Sequence, residues 1–236
     1  MLRQRNGKRR GLFVKLGATE IVDIAAGSGL DFVVIDLEHS QLCEAAALAL
    51  TRHAAAIGLP ALVRLPELDR ALVNRLLEAG ASGIQLSTVR SVAQVQALRA
   101  STRYAPAGSR SVSLAHPGAG YGEVALADYL AAQELDPPML VVQIETAETD
   151  DPLEELLAAG VDVAFVGTTD LLVDVGMDEA RLRARVEAIA AAAEAAGVEL
   201  GGFGLDDPRV GYDVSGSDVA LLRAAVAAHV REPARA

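Results

Sequence analysis

The amino-acid sequence predicts an α/β fold, a single (β/α)8 barrel of the TIM type. Short runs of β-branched and other apolar residues alternate with longer Ala-, Leu-, Arg- and Glu-rich segments of helical period. Such alternation is typical of βα units around a parallel sheet. It yields eight strands, and no linker composition interrupts the 236 residues. A barrel of about 250 residues forms one domain. An open, doubly wound sheet is the alternative that the same pattern allows.

The strands are predicted from compact apolar runs, at residues 12–16, 32–36, 61–65, 83–87, 139–145, 163–167, 200–204 and 211–215. The helices are predicted at residues 19–27, 42–57, 69–79, 92–100, 151–159, 178–196 and 218–230. Several helices are followed by a glycine just before the next strand, which suits the left-handed conformation that ends many helices. These glycines are Gly29, Gly58, Gly80, Gly160 and Gly197.

Three segments depart from this regular pattern. Residues 101–122 form a loop rich in Gly, Ser and Pro that is longer than a connection requires, which favours a functional role. Residues 205–210 are too few for a full helix, so one outer helix near the C-terminus is predicted to be shortened or missing. The basic residues 1–10 are expected to be a flexible tail, followed by a barrel domain over residues 11–236.

Composition excludes several classes of function. With 21 Lys and Arg against 32 Asp and Glu, the formal charge is −11, which disfavours binding to nucleic acid. The single cysteine excludes an internal disulfide and a multi-cysteine metal site, and it fits a cytoplasmic protein. No apolar run approaches the roughly 20 residues that cross a bilayer, so no membrane partner is expected.

Polar residues follow several of the predicted strands, and in a parallel barrel catalytic groups lie at these carboxyl ends. They are Asp36, Glu38 and His39 after the second strand, Arg64 in the third, Gln85 in the fourth, Gln143 and Glu145 in the fifth, and Asp170 after the sixth. Because burying such a group of charges is costly unless they pair or hold a metal, their convergence predicts a functional site.

Glu145 and Asp170 come from adjacent strand ends, where two carboxylates could share one hard divalent cation such as Mg²⁺ or Mn²⁺. The alternative is that each pairs with an arginine. Arg64 could bind a substrate carboxylate through two parallel hydrogen bonds, or it could neutralise Asp36 or Glu38.

The histidines and lysines allow further predictions. His39 could act as a general base, although a lone histidine is often structural. His116, in the long loop, could face a substrate or be solvated. Lys8 and Lys15 are interpreted as N-terminal rather than strand-end residues, which disfavours a Schiff-base aldolase.

Seven segments of the chain, in order, resemble the HpcH/HpaI family of metal-dependent (class II) pyruvate aldolases. They are GLDFVVIDLEHS, ALVRLP, LLEAGASGIQL, TRYAPAGSR, VVQIET, AGVDVAFVGTTDL and GSDVALL, and the resemblance extends from about Gly11 to the last helix. It implies an enzyme that cleaves or forms 4-hydroxy-2-oxo acids, with pyruvate as the enolate component and an aldehyde as its partner.

By this resemblance, Glu145 and Asp170 would hold Mg²⁺ or Mn²⁺, with Co²⁺ as a further candidate. Arg64 and Gln143 would contact pyruvate, helped by backbone amides at Gly167 and Thr168. His39 would be the base, with Glu78 as its acidic partner in a dyad. The resemblance also implies a homo-oligomer, usually a hexamer whose subunits exchange a C-terminal helix.

The sequence departs from the family pattern in three places. The usual Gly-Pro-x-Asp-Leu-Ser segment is Gly-Thr-Thr-Asp-Leu-Leu at residues 167–172, and Glu78 replaces an aspartate. After Arg110, Ser111 and Ala115-His116 stand where the family has a glycine and an Arg-Ala pair. Three alternative functions remain: a citrate-lyase-like acyl-CoA lyase, a non-catalytic relative that binds an oxo acid, and a structural paralogue. The aldehyde partner is not predicted.

Overall fold

A computed structural model describes residues 7–231, and their strands form a closed parallel barrel in chain order. β8 pairs with β1 and closes the barrel, so the open sheet is excluded. The strands are β1 Arg9–Val14, β2 Phe32–Asp36, β3 Ala61–Leu65, β4 Gly83–Leu86, β5 Met139–Ile144, β6 Val163–Val166, β7 Glu199–Phe203 and β8 Val210–Ser217. The predicted (β/α)8 barrel is therefore confirmed.

Nine α-helices surround the barrel in the described residues. They are α1 Thr19–Gly27, α2 Glu44–Ile57, α3 Arg70–Glu78, α4 Val92–Thr102, α5 Leu126–Leu135, α6 Leu153–Ala158, α7 Thr168–Asp174, α8 Glu179–Ala196 and α9 Asp218–Arg231. Each predicted helix is present within a few residues of its expected bounds. α5 and α7 were not predicted, because α5 follows the loop and α7 begins directly after β6.

No helix connects β7 to β8, as the short 205–210 segment predicted. This connection is held instead by ion pairs of Arg209, whose guanidinium contacts Asp207 and Glu187, each at 2.7 Å. The barrel is thus less covered on this side than between its other strands.

The barrel begins earlier than the sequence predicted. Arg9 and Arg10 belong to β1, so they are not part of a flexible tail. Arg9 is buried and forms an ion pair with Glu199. Residues 1–6, which make up most of the expected tail, lie outside the described part of the chain.

The strands alternate their side chains between the inside of the barrel and the surrounding helices, as the pleat requires. The interior is filled by Phe13, Phe32, Val34, Leu62, Met139, Val141, Val163, Phe165, Tyr212 and Val214. A second, larger cluster of aliphatic residues packs between strands and helices. Among residues 7–231, no helix combines the length and apolar character needed to cross a membrane.

Candidate active site

Polar side chains continue the inward-facing series of several strands at the carboxyl mouth of the barrel. Side chains two residues apart on a strand point to the same face. Asp36 therefore shares the inward face with Val34, Arg64 with Leu62 and Gln143 with Val141. Arg64 and Gln143 border a cavity of about 250 Å³. Its lining comprises Phe13, Lys15, His39, Arg64, Gln143, Phe165, Gly167, Thr168, Thr169, Asp170, Phe203 and Ser217.

Asp36 and Arg64 form a buried, two-pronged ion pair. The Arg64 Nε donates to Asp36 Oδ1 at 2.8 Å, and the Nη2 donates to Asp36 Oδ2 at 2.6 Å. The backbone N–H groups of Glu38 and His39 also donate to Asp36 Oδ1, at 3.0 and 3.1 Å. Burial opposes ionisation of Asp36, but the Arg64 guanidinium and these N–H groups outweigh it and lower its pKa from 3.8 to about 2.

The structure therefore supports the alternative that Arg64 neutralises Asp36, because the Nε and Nη2 donors of Arg64 both bind the Asp36 carboxylate. Its Nη1 lies 3.2 Å from Glu38 Oε2, and its guanidinium carbon lies 4.3 Å from the centre of the Phe13 ring. A guanidinium has five N–H donors, and these contacts use three of them. Since Arg64 also borders the cavity, its remaining donors are available to a ligand.

Glu145 is buried beside neutral partners. Its Oε1 accepts hydrogen bonds from Thr88 N at 2.9 Å and Thr88 Oγ1 at 2.6 Å, and its Oε2 accepts one from Gln143 Nε2. Gln143 is in turn held by Gln85, whose Nε2 donates to Gln143 Oε1 at 2.7 Å. Thr88 adopts a φ of +49°, an unusual value for a β-branched residue, and this brings both of its donors to Glu145.

Asp170 lies on the first turn of α7, directly after β6, and Glu145 directly follows the neighbouring strand β5. Gly167 separates them: a Cβ there would overlap the Glu145 carboxylate and lie 2.7 Å from its Cβ. The Asp170 side chain is exposed and makes no hydrogen bond or ion pair with the described residues. Neither carboxylate has an arginine partner in that part of the chain, so the pairing alternative is not supported for them.

This donor set suits a hard divalent cation. Glu145 is only 5% exposed, yet no lysine, arginine or histidine among the described residues forms an ion pair with it. A buried carboxylate without a counter-charge is costly unless a cation compensates it. Residues 7–231 contain no cluster of three or more His, Cys, Asp or Glu that could hold a metal, so water or substrate would supply the other ligands.

His39 and Glu78 do not meet within one chain. His39 is at the carboxyl mouth, with its side chain 54% exposed and its Nε2 3.8 Å from Glu38 Oε2. Glu78 ends α3 and borders a different cavity, of about 310 Å³, beside Ser82 and Met139 at the amino ends of β4 and β5. Within one chain these two residues therefore do not form a dyad, and the predicted pairing stays a prediction that needs a second copy of the chain.

His116 also lies at this opposite mouth. It is buried against Tyr129, with ring centres 5.4 Å apart, and its Nε2 lies 3.1 Å from the Ser113 carbonyl oxygen. It borders the same cavity as Glu78, not the cavity near Arg64. The expectation of a solvated His116 is thus wrong, whereas the alternative that it faces a substrate stays a prediction.

Lys15 is a site residue that the sequence did not predict at a strand end. It directly follows β1 and borders the cavity, with its Nζ 3.2 Å from Asp36 Oδ2. The statement that no lysine lies at a strand end is wrong. The period of two could have located Lys15, because it shares the inward face of β1 with Phe13.

Comparisons with known proteins agree with this architecture. A sequence model of the HpcH/HpaI aldolase/citrate lyase family matches residues 9–209. The chain is 32% identical over 207 residues to a hydroxypyruvate/pyruvate aldolase of Paraburkholderia phytofirmans, covering 83% of this chain and 78% of the relative. It is 31% identical over 195 residues to a 4-hydroxy-4-methyl-2-oxoglutarate aldolase of Chaetomium globosum, covering 80% and 72%.

A solved structure gives the same result. The HpcH/HpaI aldolase from Desulfitobacterium hafniense superposes with a TM-score of 0.87 at 27% identity, covering 97% of this chain and 95% of the other.

Proposed function

The chain belongs to the HpcH/HpaI aldolase/citrate lyase family and is a carbon–carbon lyase of the pyruvate aldolase type, and on that basis we propose a divalent-metal-dependent cleavage and formation of 4-hydroxy-2-oxo acids. The observation that carries the metal dependence is Glu145, a buried carboxylate without a cationic partner in the described residues. In the synthetic direction, the substrates of the enzyme would be pyruvate and an aldehyde. A cytoplasmic location fits the composition.

Glu145 and Asp170 would hold the cation, for which Mg²⁺ or Mn²⁺ is the natural choice and Co²⁺ a further candidate. When bound, such an ion acts as a Lewis acid that polarises the keto group of the oxo acid. The chain of hydrogen bonds from Gln85 through Gln143 to Glu145 would fix the carboxylate orientation before the substrate arrives.

Arg64 and Gln143 would bind the pyruvate portion. The donors of Arg64 that are not used by Asp36 and Glu38 can reach a carboxylate in the cavity, and the second N–H of the Gln143 amide can reach a keto oxygen. Backbone groups at Gly167 and Thr168, which also border the cavity, would contact the same carboxylate.

His39 is the proposed base. During cleavage it would take the proton of the 4-hydroxyl group, while the electrons of the C3–C4 bond pass to C3. Its exposed ring at the mouth leaves it accessible to the substrate, and Asp36 fixes its backbone N–H. Glu78 could serve as its acidic partner only from a second copy of the chain, which fits the proposed homo-oligomer.

α9 supports the oligomer proposal. Asp218 is its buried residue, whereas a series of large apolar side chains on the helix is exposed. These are Val219, Leu221, Leu222, Val226 and Val230. A helix of 14 residues with so little packing on its own barrel is expected to pack against another subunit.

The decisive experiment is a pyruvate-release assay on a panel of 4-hydroxy-2-oxo acids, coupled to lactate dehydrogenase and repeated with chelator. We expect release that chelation abolishes and added Mg²⁺ or Mn²⁺ restores. Glu145→Gln should lower kcat/KM by about 1000-fold or more, because it removes the charge that holds the cation. Glu148→Gln, an exposed position three residues further on, is the matched control.

Other results would contradict the proposal. Full activity of the metal-stripped protein would exclude the metal role. Binding of oxo acids without pyruvate release would indicate the non-catalytic relative, and cleavage of an acyl-CoA thioester instead would indicate the citrate-lyase-like alternative.

A further inference from the structure

The long loop after α4 carries a buried arginine, Arg110. Residues 103–110 fold back on the end of α4, since Ser109 N donates to the Ala100 carbonyl oxygen at 2.8 Å and Arg110 N donates to the Arg103 carbonyl oxygen at 2.9 Å. Arg110 is only 5% exposed. The length and composition of this loop predict a functional role, yet none of its residues borders the cavity beside Arg64.

The Arg110 guanidinium is fixed by neutral groups. Its Nε donates to Asn74 Oδ1 at 3.1 Å, its Nη1 donates to Gln133 Oε1 at 3.3 Å, and its central carbon lies 4.8 Å from the centre of the Tyr104 ring. Among residues 7–231, its Nη2 has no hydrogen-bond partner and no carboxylate forms an ion pair with the guanidinium. Because a buried charge without a counter-charge is costly, an anion bound here would stabilise the arginine.

Arg110 borders a cavity of about 350 Å³ whose lining is cationic and neutral. Arg70 and Arg75 of α3 border the same cavity, together with Ser111. None of the described residues that border it is Asp or Glu, although the chain has a formal charge of −11. It shares no lining residue with the cavity beside Arg64 or with the cavity at the amino ends of β4 and β5. This cavity is therefore a separate and locally basic site.

Two of the three arginines keep their charge for a ligand. Glu44 neutralises Arg75, whose Nε and Nη2 donate to its carboxylate at 2.6 and 2.9 Å. Arg70 has no ion pair with the described residues, and its Nη2 donates to Ser111 Oγ at 3.2 Å and to a backbone carbonyl oxygen at 2.8 Å. The Nε and Nη1 of Arg70, the Nη2 of Arg110 and the hydroxyl proton of Ser111 thus remain available.

These donors suit a phosphate group. They belong to two guanidinium groups and one hydroxyl, on the two elements that border the cavity, α3 and the loop. A phosphate group offers three oxygens and about two negative charges at neutral pH, whereas a carboxylate offers two oxygens in one plane and a single charge. A volume of about 350 Å³ also lies within the range of small-molecule sites.

We propose that this cavity binds a phosphate dianion, either the free ion or the phosphate group of a small phosphorylated metabolite. Arg110 supplies the buried charge, and Arg70 with Ser111 supplies the remaining donors. None of the proposed catalytic or metal-binding residues borders this cavity, so the site is distinct from the proposed aldolase centre.

Isothermal titration calorimetry of the full chain, in a phosphate-free buffer of low ionic strength, tests the site directly. We expect inorganic phosphate and glycerol 3-phosphate to bind with a Kd below about 1 mM, and acetate to bind about tenfold or more weakly. A lower Kd for glycerol 3-phosphate than for phosphate would identify a phosphorylated metabolite as the ligand, and an equal or higher Kd would identify the free ion.

Arg110→Met should raise the Kd for phosphate about tenfold or more, because it removes the buried charge. Arg70→Met, at an exposed position, should raise this Kd as well, and it replaces Arg110→Met if that variant fails to fold. Arg52→Met is the matched control, since it removes one positive charge from an exposed position of α2 outside this cavity. It should leave the Kd unchanged.

Several results would overturn the assignment. They are a lack of binding of both phosphate compounds up to about 10 mM, a Kd that Arg70→Met leaves unchanged, and a Kd that Arg52→Met raises as much as Arg70→Met does. Acetate that binds as tightly as phosphate would exclude a phosphate site. Pyruvate release does not enter this test, so the phosphate site and the aldolase proposal can fail independently of each other.

Discussion

Asp36 and Arg64 lie side by side because β2 and β3 pair in a register that sets these two residues opposite each other. Both side chains are almost fully buried. Removing one member of such a pair leaves an uncompensated charge in a low-dielectric environment, which is much more destabilising than losing a surface ion pair.

Asp36→Asn should therefore lower the free energy of unfolding at pH 7 by about 3 kcal/mol, as measured by urea denaturation. The pKa of Asp36 is about 2 in the folded protein, below its usual 3.8. Its ionised form thus contributes stability above pH 4, and this contribution is lost as the pH falls towards 2. We expect the difference between variant and parent to shrink by about 2 kcal/mol over that range.

Asp128→Asn, at an exposed position in α5, should show no such pH dependence. A difference for Asp36→Asn that stays constant between pH 5 and 2 would contradict the stabilisation of the ionised carboxylate by Arg64.

How much of the site the sequence could predict depends on whether a property is local. Arg64 and Gln143 were predicted as site residues because each lies near the carboxyl end of its own predicted strand. The partner of Arg64 could not be predicted in the same way, because the register between strands decides whether its fork meets Asp36 or a substrate. Lys15 was not predicted, although the period of two on β1 places it on the same face as Phe13.

The turn from β6 into α7 is the element on which the proposed metal site depends. Gly167 N donates to the Ile144 carbonyl oxygen at 3.1 Å, which ties the turn to the end of β5. The glycine's missing side chain leaves the space that the Glu145 carboxylate occupies. Asp170 then lies on the first turn of α7, so one short element sets the relation between both carboxylates.

Gly167→Ala should displace the Glu145 carboxylate and lower kcat/KM for pyruvate release by about 100-fold, with a weaker apparent affinity for Mg²⁺. Because the φ of Gly167 is −84°, alanine is not excluded by the backbone, and the fold should persist. Steady-state kinetics against Mg²⁺ concentration, with circular dichroism as a check of folding, measures both effects.

Gly27→Ala provides the comparison, since a Cβ at Gly27 would meet no atom within 4 Å. Unchanged kinetics in Gly167→Ala would mean that Glu145 does not need its present position.

Helix prediction succeeded where the apolar pattern was strong and failed where it was weak. α3 buries Val73, Leu76 and Leu77 and was predicted, whereas α5 buries only Tyr129. α7 has seven residues and continues directly from a strand, so its sequence resembles the end of β6 more than the start of a helix.

At the scale of the whole molecule, the closed barrel separates two mouths with different residues. The carboxyl mouth carries Lys15, Arg64 and Glu145, while Glu78 and His116 border the other. A single chain therefore cannot complete the His39–Glu78 pair that the family resemblance implies. α9 could bring a second copy of the chain to this site. Its first residue, Asp218, binds the end of β1, while its apolar residues remain exposed.

Leu222→Asp combined with Val226→Asp should dissociate the proposed homo-oligomer, because charges would replace apolar side chains that a neighbouring subunit is expected to bury. Size-exclusion chromatography with light scattering should show a shift from an oligomer to a 24.5 kDa monomer. Leu135→Asp, at an exposed position outside α9, should leave the mass unchanged.

If the pair of α9 substitutions leaves an oligomer intact, or if the unmodified chain is already monomeric, α9 does not mediate assembly and Glu78 cannot be supplied to His39 in this way. If dissociation also lowers kcat for pyruvate release while circular dichroism is preserved, the second mouth contributes to catalysis from a neighbouring subunit.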